Sequence, residues 1–167
     1  MQWRPMQPAD MDAVSALSDA VHGQYTEPRA TYAERRDLYP AGCFVLDDGS
    51  GSGAIAGYLI AHPWRHEAPP PLGGMIHAIP ADADSIYLHD LALLPAARGT
   101  GSGGTATRMV LELAAAAGFR DVFLLAVGGA DAFWASRGFA PVADPALAAR
   151  LHASYGPEVI YMHRPAG

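Results

Sequence analysis

Three neighbouring side chains in the middle of the chain, Tyr87, His89 and Asp90, have the chemistry needed to move a proton. His89 is the one best suited to accept a proton near neutral pH. Asp90 is either a rival base or a partner that orients a histidine on a neighbouring strand. On a regular strand, Tyr87 and His89 would share one face and Asp90 would lie on the other. The structural alternatives are a histidine satisfied within the sheet and a tyrosine packed in the core.

A glycine-rich turn follows this segment. An apolar stretch ends at Pro95, and Arg98 then precedes the run Gly99-Thr100-Gly101-Ser102-Gly103-Gly104, which enters a helical pattern. Backbone N–H groups at the start of a helix lack intrahelical partners, and the helix dipole adds roughly half a positive charge there. Glycines also let a bulky diphosphate touch the backbone. The turn is therefore predicted to cradle a diphosphate, with Arg98 as a formal positive charge.

Gly99, Gly101 and Gly104 also satisfy the G-x-G-x-x-G pattern of dinucleotide-binding proteins. In such proteins the glycines come directly after the first strand, and a second strand ends in an acidic residue about 20 residues further on. Here Pro95 and the residues up to Arg98 separate the strand from the glycines, and the next strand carries its acidic residue at its start. A dinucleotide-binding oxidoreductase is therefore the less favoured hypothesis, and a flexible loop without a ligand is another.

The motif Arg98-x-x-Gly101-x-Gly103 matches the Q/R-x-x-G-x-G/A signature of another family. It resembles the GCN5-related N-acetyltransferase (GNAT) family, in which this loop holds the pyrophosphate of acetyl-CoA. The resemblance implies acetyl-CoA as co-substrate, without a metal. It also implies that the loop residues bind this cofactor: Arg98, Gly99, Thr100, Gly101, Ser102, Gly103 and Gly104.

Two flanking segments extend the resemblance, which covers about residues 85–141. Leu91-Ala92-Leu93 is similar to the family's strand whose backbone holds the thioester carbonyl and the pantetheine. Phe133 and Trp134 open the segment FWASRGF, which resembles the family's F-Y-x-x-x-G-F element.

Trp134 stands where many members have the Tyr that protonates the leaving thiolate. An indole N–H is no useful acid at neutral pH. The resemblance therefore implies that the proton comes from water or from Tyr87, Tyr155 or Tyr161. Trp134 would pack against the pantetheine arm, shape the amine pocket or fill the core.

The spacing of Tyr87 and His89 before Leu91-Ala92-Leu93 is similar to the H-x-H before L-A-V of arylalkylamine N-acetyltransferases. In those enzymes the histidines assist deprotonation of the amine. This step is needed because an ammonium has a pKa of roughly 10 and only the neutral amine attacks the thioester. By this resemblance His89 is the candidate base and a small primary amine is the acceptor. A protein or peptide N-terminal amine, or a CoA-binding module without turnover, stays open.

Alternating patterns indicate the elements that position these residues. Helices are predicted from about Pro8 with Asp10 as N-cap, over 31–38 with Thr31 and Glu34 as a capping box, over 103–117 and over 131–136. Strands are predicted at 3–6, 43–46, 54–61, 85–94, 122–127 and 158–162. With the resemblance, this order predicts a single GNAT domain over 1–167, of mixed α/β class, with a mostly antiparallel central sheet flanked by helices.

Half of the 167 residues are apolar and the formal net charge is −6. This charge argues against nucleic acid or an anionic membrane as partner, and it mildly favours a cationic substrate. No uncharged apolar run reaches the roughly 18 residues of a membrane helix, and the N-terminus shows no signal-peptide pattern, so we expect a cytoplasmic protein. A homodimer is compatible with the resembled family.

The Pro-rich segment 63–74 is expected to be a loop at the substrate mouth. His62, His66 and His77 flank or lie near it and are expected to be exposed loop residues, not metal ligands. His22, His152 and His163 carry no signal by position. The lone cysteine, Cys43, is expected in the core.

Overall fold

The computed structural model describes residues 1–167 and contains one seven-stranded sheet with helices on both faces. The strands are β1 (Gln2–Pro5), β2 (Cys43–Asp47), β3 (Ile55–Trp64), β4 (Ser85–Leu93), β5 (Asp121–Ala126), β6 (Ala140–Pro141) and β7 (Ile160–Pro165). The helices are α1 (Met11–His22), α2 (Arg29–Leu38), α3 (Ser102–Ala116), α4 (Asp131–Ala135) and α5 (Pro145–Tyr155).

The sheet order is β1-β2-β3-β4-β5-β7-β6. Only β4 and β5 pair in parallel, and the other neighbours are antiparallel. The predicted mixed α/β class with a mostly antiparallel sheet is therefore confirmed. A doubly wound parallel sheet, which a dinucleotide-binding fold would need, is not what this chain forms.

Each face of the sheet has its own apolar core, because strand side chains alternate between faces. Leu88 of β4 packs in a core with Ala106 and Val110 of α3. On the other face, Tyr58 of β3 packs with Val14 of α1. Because helices cover both faces, β3 is buried along nearly its whole length.

Two irregularities in β4 shape the centre of the sheet. The strand pairs with β5 only at Ile86–Val122 and Tyr87–Phe123, so the two strands part beyond that point. Against β3, Asp90 pairs with Ile60 and Leu88 with Ala61, which leaves His89 as the extra residue of a β-bulge.

Of the two helix starts predicted from capping residues, one was wrong. Asp10 is the N-cap residue of α1, as predicted, although its side chain makes no capping hydrogen bond to that helix. It lies in a 3₁₀ turn that runs into α1, where its carboxylate accepts the Gln7 N–H at 2.7 Å and pairs with Arg4. Thr31 and Glu34 do not form a capping box, because α2 begins at Arg29 and both residues lie inside it.

The helix α5 and the short strand β6 were not predicted. Asp144 is the N-cap of α5 and accepts the N–H groups of Ala146 and Leu147. Pro145 at the first helical position completes a recognisable start signal. The longest helix, α3, has 15 residues, and no helix combines the length and apolarity needed to cross a bilayer.

The segment between β3 and β4, residues 65–84, is here called the strap. It begins later than predicted, since Pro63 and Trp64 still belong to β3. The strap is tied to the helices on one face of the sheet: Gly73 N–H to Glu27, Arg35 to Gly74 O, Ile76 N–H to Glu34, Leu72 N–H to Ser154 Oγ, and Tyr155 OH to Pro70 O.

Candidate active site

The bulge in β4 changes which side chains meet. On a regular strand His89 and Asp90 would point to opposite faces. Because His89 is the extra residue, Asp90 pairs with Ile60 and returns to the same face as Tyr87. The prediction that Asp90 lies opposite His89 was therefore wrong. The bulge brings an imidazole and a carboxylate to adjoining positions on one face.

His89 forms a closed pair with a carboxylate from far away in the chain. Its Nε2 lies 2.6 Å from Oε1 of Glu27, which comes from the segment between α1 and α2. Their side chains are only 4% and 5% exposed. Burial alone would raise the pKa of the Glu27 carboxyl, but the charge and hydrogen bond of His89 outweigh it and leave that pKa lowered. Glu27 is therefore held as a carboxylate.

The other oxygen of Glu27 accepts the backbone N–H of Gly73 at 2.7 Å. One carboxylate thus holds both His89 and the strap. In the neutral form of His89, Nε2–H donates to the Glu27 carboxylate and the lone pair lies on Nδ1. Nδ1 is buried and has no hydrogen-bond partner in the chain.

Asp90 forms a second pair, with His22 of α1. Oδ1 lies 2.6 Å from His22 Nε2, and Oδ2 accepts the hydroxyl of Tyr58 at 2.6 Å. Burial lowers the pKa of His22, but the charge and hydrogen bond of Asp90 more than compensate, so that pKa is raised overall. With both oxygens engaged, Asp90 fits the role of an orienting partner better than that of a base.

The gap between β4 and β5 opens into a cavity of about 470 Å³, here called the wide cavity. It runs from Arg98, Leu91 and Leu93 at the glycine turn to His89 and Asp90. A smaller space of about 40 Å³, here called the recess, continues beyond His89. The recess is lined by His22, Tyr25, Glu27, Leu72, Tyr87, His89, Asp90, Leu125, Val127 and Tyr155.

The glycine turn at the mouth of the wide cavity exposes a row of free donors. The amides from Gly99 to Gly104 donate to no acceptor in the chain, and the first that does is Thr105, to Gly101 O at 3.0 Å. Gly99 and Gly101 have φ of +74° and +88°, which side chains with a Cβ rarely adopt. The diphosphate cradle at this turn stays a prediction, and these unpaired amides are the donors that it would use.

Close packing explains another glycine of the turn. A Cβ on Gly103 would lie 2.9 Å from Phe133 Cζ, so the helix could not approach α4 with any larger residue. Arg98 lines the wide cavity, and its Nε donates to Leu93 O at 3.1 Å. Ala92 faces the opposite core and is 1% exposed, so only its backbone can reach a cofactor.

Trp134 occupies the wall of the wide cavity at the α4 end. It is 7% exposed and packs edge-to-face on Phe133 and Phe139. It therefore both fills the core and borders the cavity, and its indole N–H donates to no atom of the chain.

The three tyrosines predicted as acids lie in different places. Tyr87 lines the recess and stacks on His89 at a ring distance of 5.4 Å. Tyr155 also lines the recess, but its hydroxyl donates to Pro70 O at 2.9 Å. Tyr161 lines neither cavity and bonds His66 and the Glu67 N–H.

His62 was expected to be an exposed loop residue, and that was wrong. It lies in β3, is 0% exposed, and its ring contacts those of His89 and Tyr87 edge-to-face. Burial first, and then the charge of His89, lowers the pKa of His62 to about 3, so it stays neutral. His62 lies in the apolar layer beneath His89, and its Nε2 has no partner.

Sequence reasoning missed Glu27, His22 and Tyr25. Glu27 sits in a short connection before Pro28, where a carboxylate gives no pattern. His22 ends α1, and Tyr25 lies in the 3₁₀ turn that follows it. Tyr25 lines both cavities, and its hydroxyl has no partner in the chain. No three His, Cys, Asp or Glu side chains converge as a metal site would require.

Comparison of the sequence with protein families gives one match. Residues 12–139 match the family described as the acetyltransferase (GNAT) family. A search of curated protein sequences found no significant match.

Solved structures share the fold at low sequence identity. GphF, a GNAT-like decarboxylase in complex with isobutyryl-CoA, matches with 19% identity and a TM-score of 0.72 over 100% of both chains. A chain of the NatC complex bound to Gag peptide and CoA matches with 16% identity and a TM-score of 0.70, over 98% of this chain and 97% of that one. N-acetylglutamate synthase from Neisseria gonorrhoeae, complexed with coenzyme A and N-acetyl-glutamate, matches with 18% identity and a TM-score of 0.71, over 99% of this chain and 35% of that one.

Proposed function

This chain belongs to the acetyltransferase (GNAT) family, and on that premise we propose that it transfers the acetyl group of acetyl-CoA to a small primary amine. The single observation that carries the proposal is the continuity of the wide cavity. It extends from Arg98, the residue directly before the glycine turn, to His89, which pairs with the buried Glu27. A diphosphate held at the turn would direct the pantetheine and thioester along the gap between β4 and β5 towards His89.

The strap favours a small acceptor over a peptide. Its hydrogen bonds to Glu27, Arg35 and Ser154 hold it beside the recess. Leu72 of the strap lines the recess directly. A peptide acceptor would need a long groove at this place, whereas a small amine needs only a short space next to His89.

His89 is the group proposed to take the proton from the amine. In the neutral imidazole with Nε2–H donated to Glu27, the lone pair lies on Nδ1, which has no hydrogen-bond partner in the chain. The carboxylate would stabilise the imidazolium that forms, without taking the proton itself, as the acid does in other histidine–carboxylate pairs. The neutral amine would then attack the thioester carbon, and the thiolate would leave.

Tyr25 is the group proposed to return a proton to the thiolate. Trp134 cannot do this, and the hydroxyl of Tyr155 is bonded to the strap. Tyr25 borders both cavities with a free hydroxyl. It thus stands close to the place where His89 and the thioester would meet.

The experiment that tests the function is thiol release from acetyl-CoA with a panel of amines. We expect turnover with small primary amines and a loss of roughly 10²-fold in kcat/KM for His89→Ala, the range of general base catalysis. Equal kcat/KM for His89→Ala at every pH would remove His89 from the base role. A higher rate with a peptide pool than with any small amine would favour the peptide alternative.

The CoA-binding module without turnover is motivated by Trp134 and makes a different prediction. Acetyl-CoA would bind, as measured by calorimetry, yet no acceptor in either panel would release thiol. Replacing Trp134 with Tyr would restore the side chain common in the family. Activity that appears only in Trp134→Tyr would support the module.

A further inference from the structure

The recess contains negative groups but no guanidinium. Two of its ten lining residues are acidic, Glu27 and Asp90, and none is an arginine. The chain has no lysine at all. Each carboxylate is paired with a histidine, so the charge of the recess lies between zero and negative.

The nearest arginines are committed elsewhere. Arg35 is 1% exposed, and its guanidinium bonds Glu34 and the Gly74 carbonyl. Arg98 lies at the glycine turn, at the other end of the wide cavity. Neither lines the recess. A carboxylate brought there would lose its water and meet two carboxylates without a fixed cation to compensate.

The remaining walls of the recess are apolar or aromatic. Leu72, Leu125 and Val127 line it together with three tyrosines. Among its polar groups, Nδ1 of His89 is buried without a hydrogen-bond partner, and the hydroxyl of Tyr25 is also unpartnered. The lining suits an uncharged hydrocarbon body with a single N–H group directed at His89.

We propose that the acceptor is an amine whose nitrogen-bearing carbon carries no carboxylate, so that the enzyme uses decarboxylated amines and rejects the corresponding α-amino acids. The proposal rests on the proposed function and narrows its substrate class. The bond that forms is the amide between the amine nitrogen and the acetyl carbon. The bond that breaks is the thioester, and the amine proton leaves through His89.

The test compares acceptors that differ only in the carboxylate. Phenethylamine is paired with L-phenylalanine, and 3-methylbutylamine with L-leucine, in the thiol-release assay with the whole protein. L-phenylalaninamide is the control of similar bulk, because an uncharged carboxamide replaces the carboxylate. We expect kcat/KM to be at least 10-fold higher for each amine than for its amino acid, and the amide to recover most of the difference. Equal or better use of the amino acids would overturn the proposal.

A second test changes the charge of the recess and keeps the same acceptors, so differences in acceptor shape cannot explain its result. Leu72→Arg adds the missing cation at a strap position whose backbone bond to Ser154 does not need the leucine side chain. Leu72→Gln is the matched polar variant without charge. The amine-to-amino-acid ratio is expected to fall at least 5-fold in Leu72→Arg and to stay within 2-fold of wild type in Leu72→Gln. An equal ratio in both variants would contradict the electrostatic argument.

Failure of the two proposals can be told apart. If wild type releases no thiol with either member of any pair, while acetyl-CoA still binds, the proposed function fails and the narrower inference falls with it. If thiol is released with the amino acids in preference to the amines, the function stands and only the inference is overturned.

Discussion

The two ends of the wide cavity are built in different ways. The end near the glycine turn is lined by Leu91, Leu93 and Arg98, and the turn that follows them in the chain has free backbone amides. The opposite end is assembled from separate parts of the chain: His22, Glu27, Leu72, His89 and Tyr155. Recognition by backbone requires glycine where φ is positive or space is short, so it leaves a pattern in the sequence. Recognition by side chains that only the fold brings together leaves none.

The strongest way to break this comparison is to disable the backbone end alone. Gly101→Glu combines a φ of +88° with a negative charge at the proposed diphosphate site. We expect acetyl-CoA affinity to fall by roughly 10³-fold, from strain and repulsion together. Isothermal titration calorimetry of the folded variant measures the loss.

Gly51→Glu is the matched control for that change. Gly51 has a φ of +77° and no atom within 4 Å of its added Cβ, like Gly101, but it lies in the turn between β2 and β3. It carries the same strain and charge away from the cavity. Wild-type affinity in Gly51→Glu together with lost affinity in Gly101→Glu is expected, and equal affinity in both variants would refute the cradle.

The next largest effect is expected at the side-chain end. Glu27→Gln removes the carboxylate that orients His89 and stabilises its charge, so kcat/KM should fall by roughly 10²-fold while acetyl-CoA affinity stays unchanged. Steady-state kinetics with the best amine, together with calorimetry, measures both quantities.

Glu34→Gln is the control for loss of a strap contact. Glu34 also accepts strap amides, those of Ile76 and His77, but it does not touch His89. Its kcat/KM should fall by no more than a few-fold. A comparable loss in Glu34→Gln and Glu27→Gln would mean that Glu27 acts through the strap and not through His89.

The side-chain end also makes stability depend on pH. The pKa of His62 is lowered by burial to about 3 in the fold, against about 6.5 in the unfolded chain. As pH falls below 6.5, His62 binds a proton in the unfolded chain but not in the fold. The contribution of His62 to the free energy of unfolding is therefore complete above this pH and is lost below it. Between pH 7 and 5 the loss from His62 should be roughly 2 kcal/mol.

Urea unfolding at pH 5, 6 and 7 measures this dependence. His62→Phe keeps a ring against Trp64 and Tyr87 and should flatten the fall in the free energy of unfolding. His152→Phe, on the exposed face of α5, should not. An unchanged slope in His62→Phe would show that His62 does not stay neutral in the fold.

The smallest effect sharpens the comparison where the two ends meet. Tyr25 borders both cavities. If its hydroxyl protonates the thiolate, Tyr25→Phe should lower kcat by about 10-fold. This loss is smaller than is usual for a general acid because water can replace the hydroxyl. Tyr155→Phe is the tyrosine control. At high pH the CoA product can leave as the thiolate and needs no proton, so the difference in kcat between wild type and Tyr25→Phe should become smaller. Both enzymes are therefore measured from pH 7 to 9. A defect that does not change with pH would contradict the acid role.

The sequence predicted the glycine-turn end of the wide cavity better than the side-chain end. The glycine turn, the strand before it and the Phe133–Trp134 helix were found because their residues are adjacent in the chain. The Glu27–His89 and His22–Asp90 contacts span 62 and 68 positions, and no local pattern reports a contact over that distance.

The bulge at His89 was also invisible in the sequence. A bulge adds one residue to one strand, and the register of β3 against β4 decides where it falls. The alternation rule was right up to Leu88 and wrong for Asp90. The start of α5 at Asp144-Pro145 has a clear capping signal. Asp10 is the N-cap residue of α1, as predicted, but its side chain bonds Gln7 and Arg4 instead of the helix.

Because Glu27 bonds both the strap and His89, the position of the strap should affect how stable bound acetyl-CoA is before an acceptor binds. The same carboxylate holds Gly73 with one oxygen and His89 with the other, so a displaced strap would also leave the imidazole less firmly held. Water that entered at such a displaced strap would meet a poorly aligned base. We therefore expect little hydrolysis of the thioester, and thiol release without an acceptor should be slow compared with turnover.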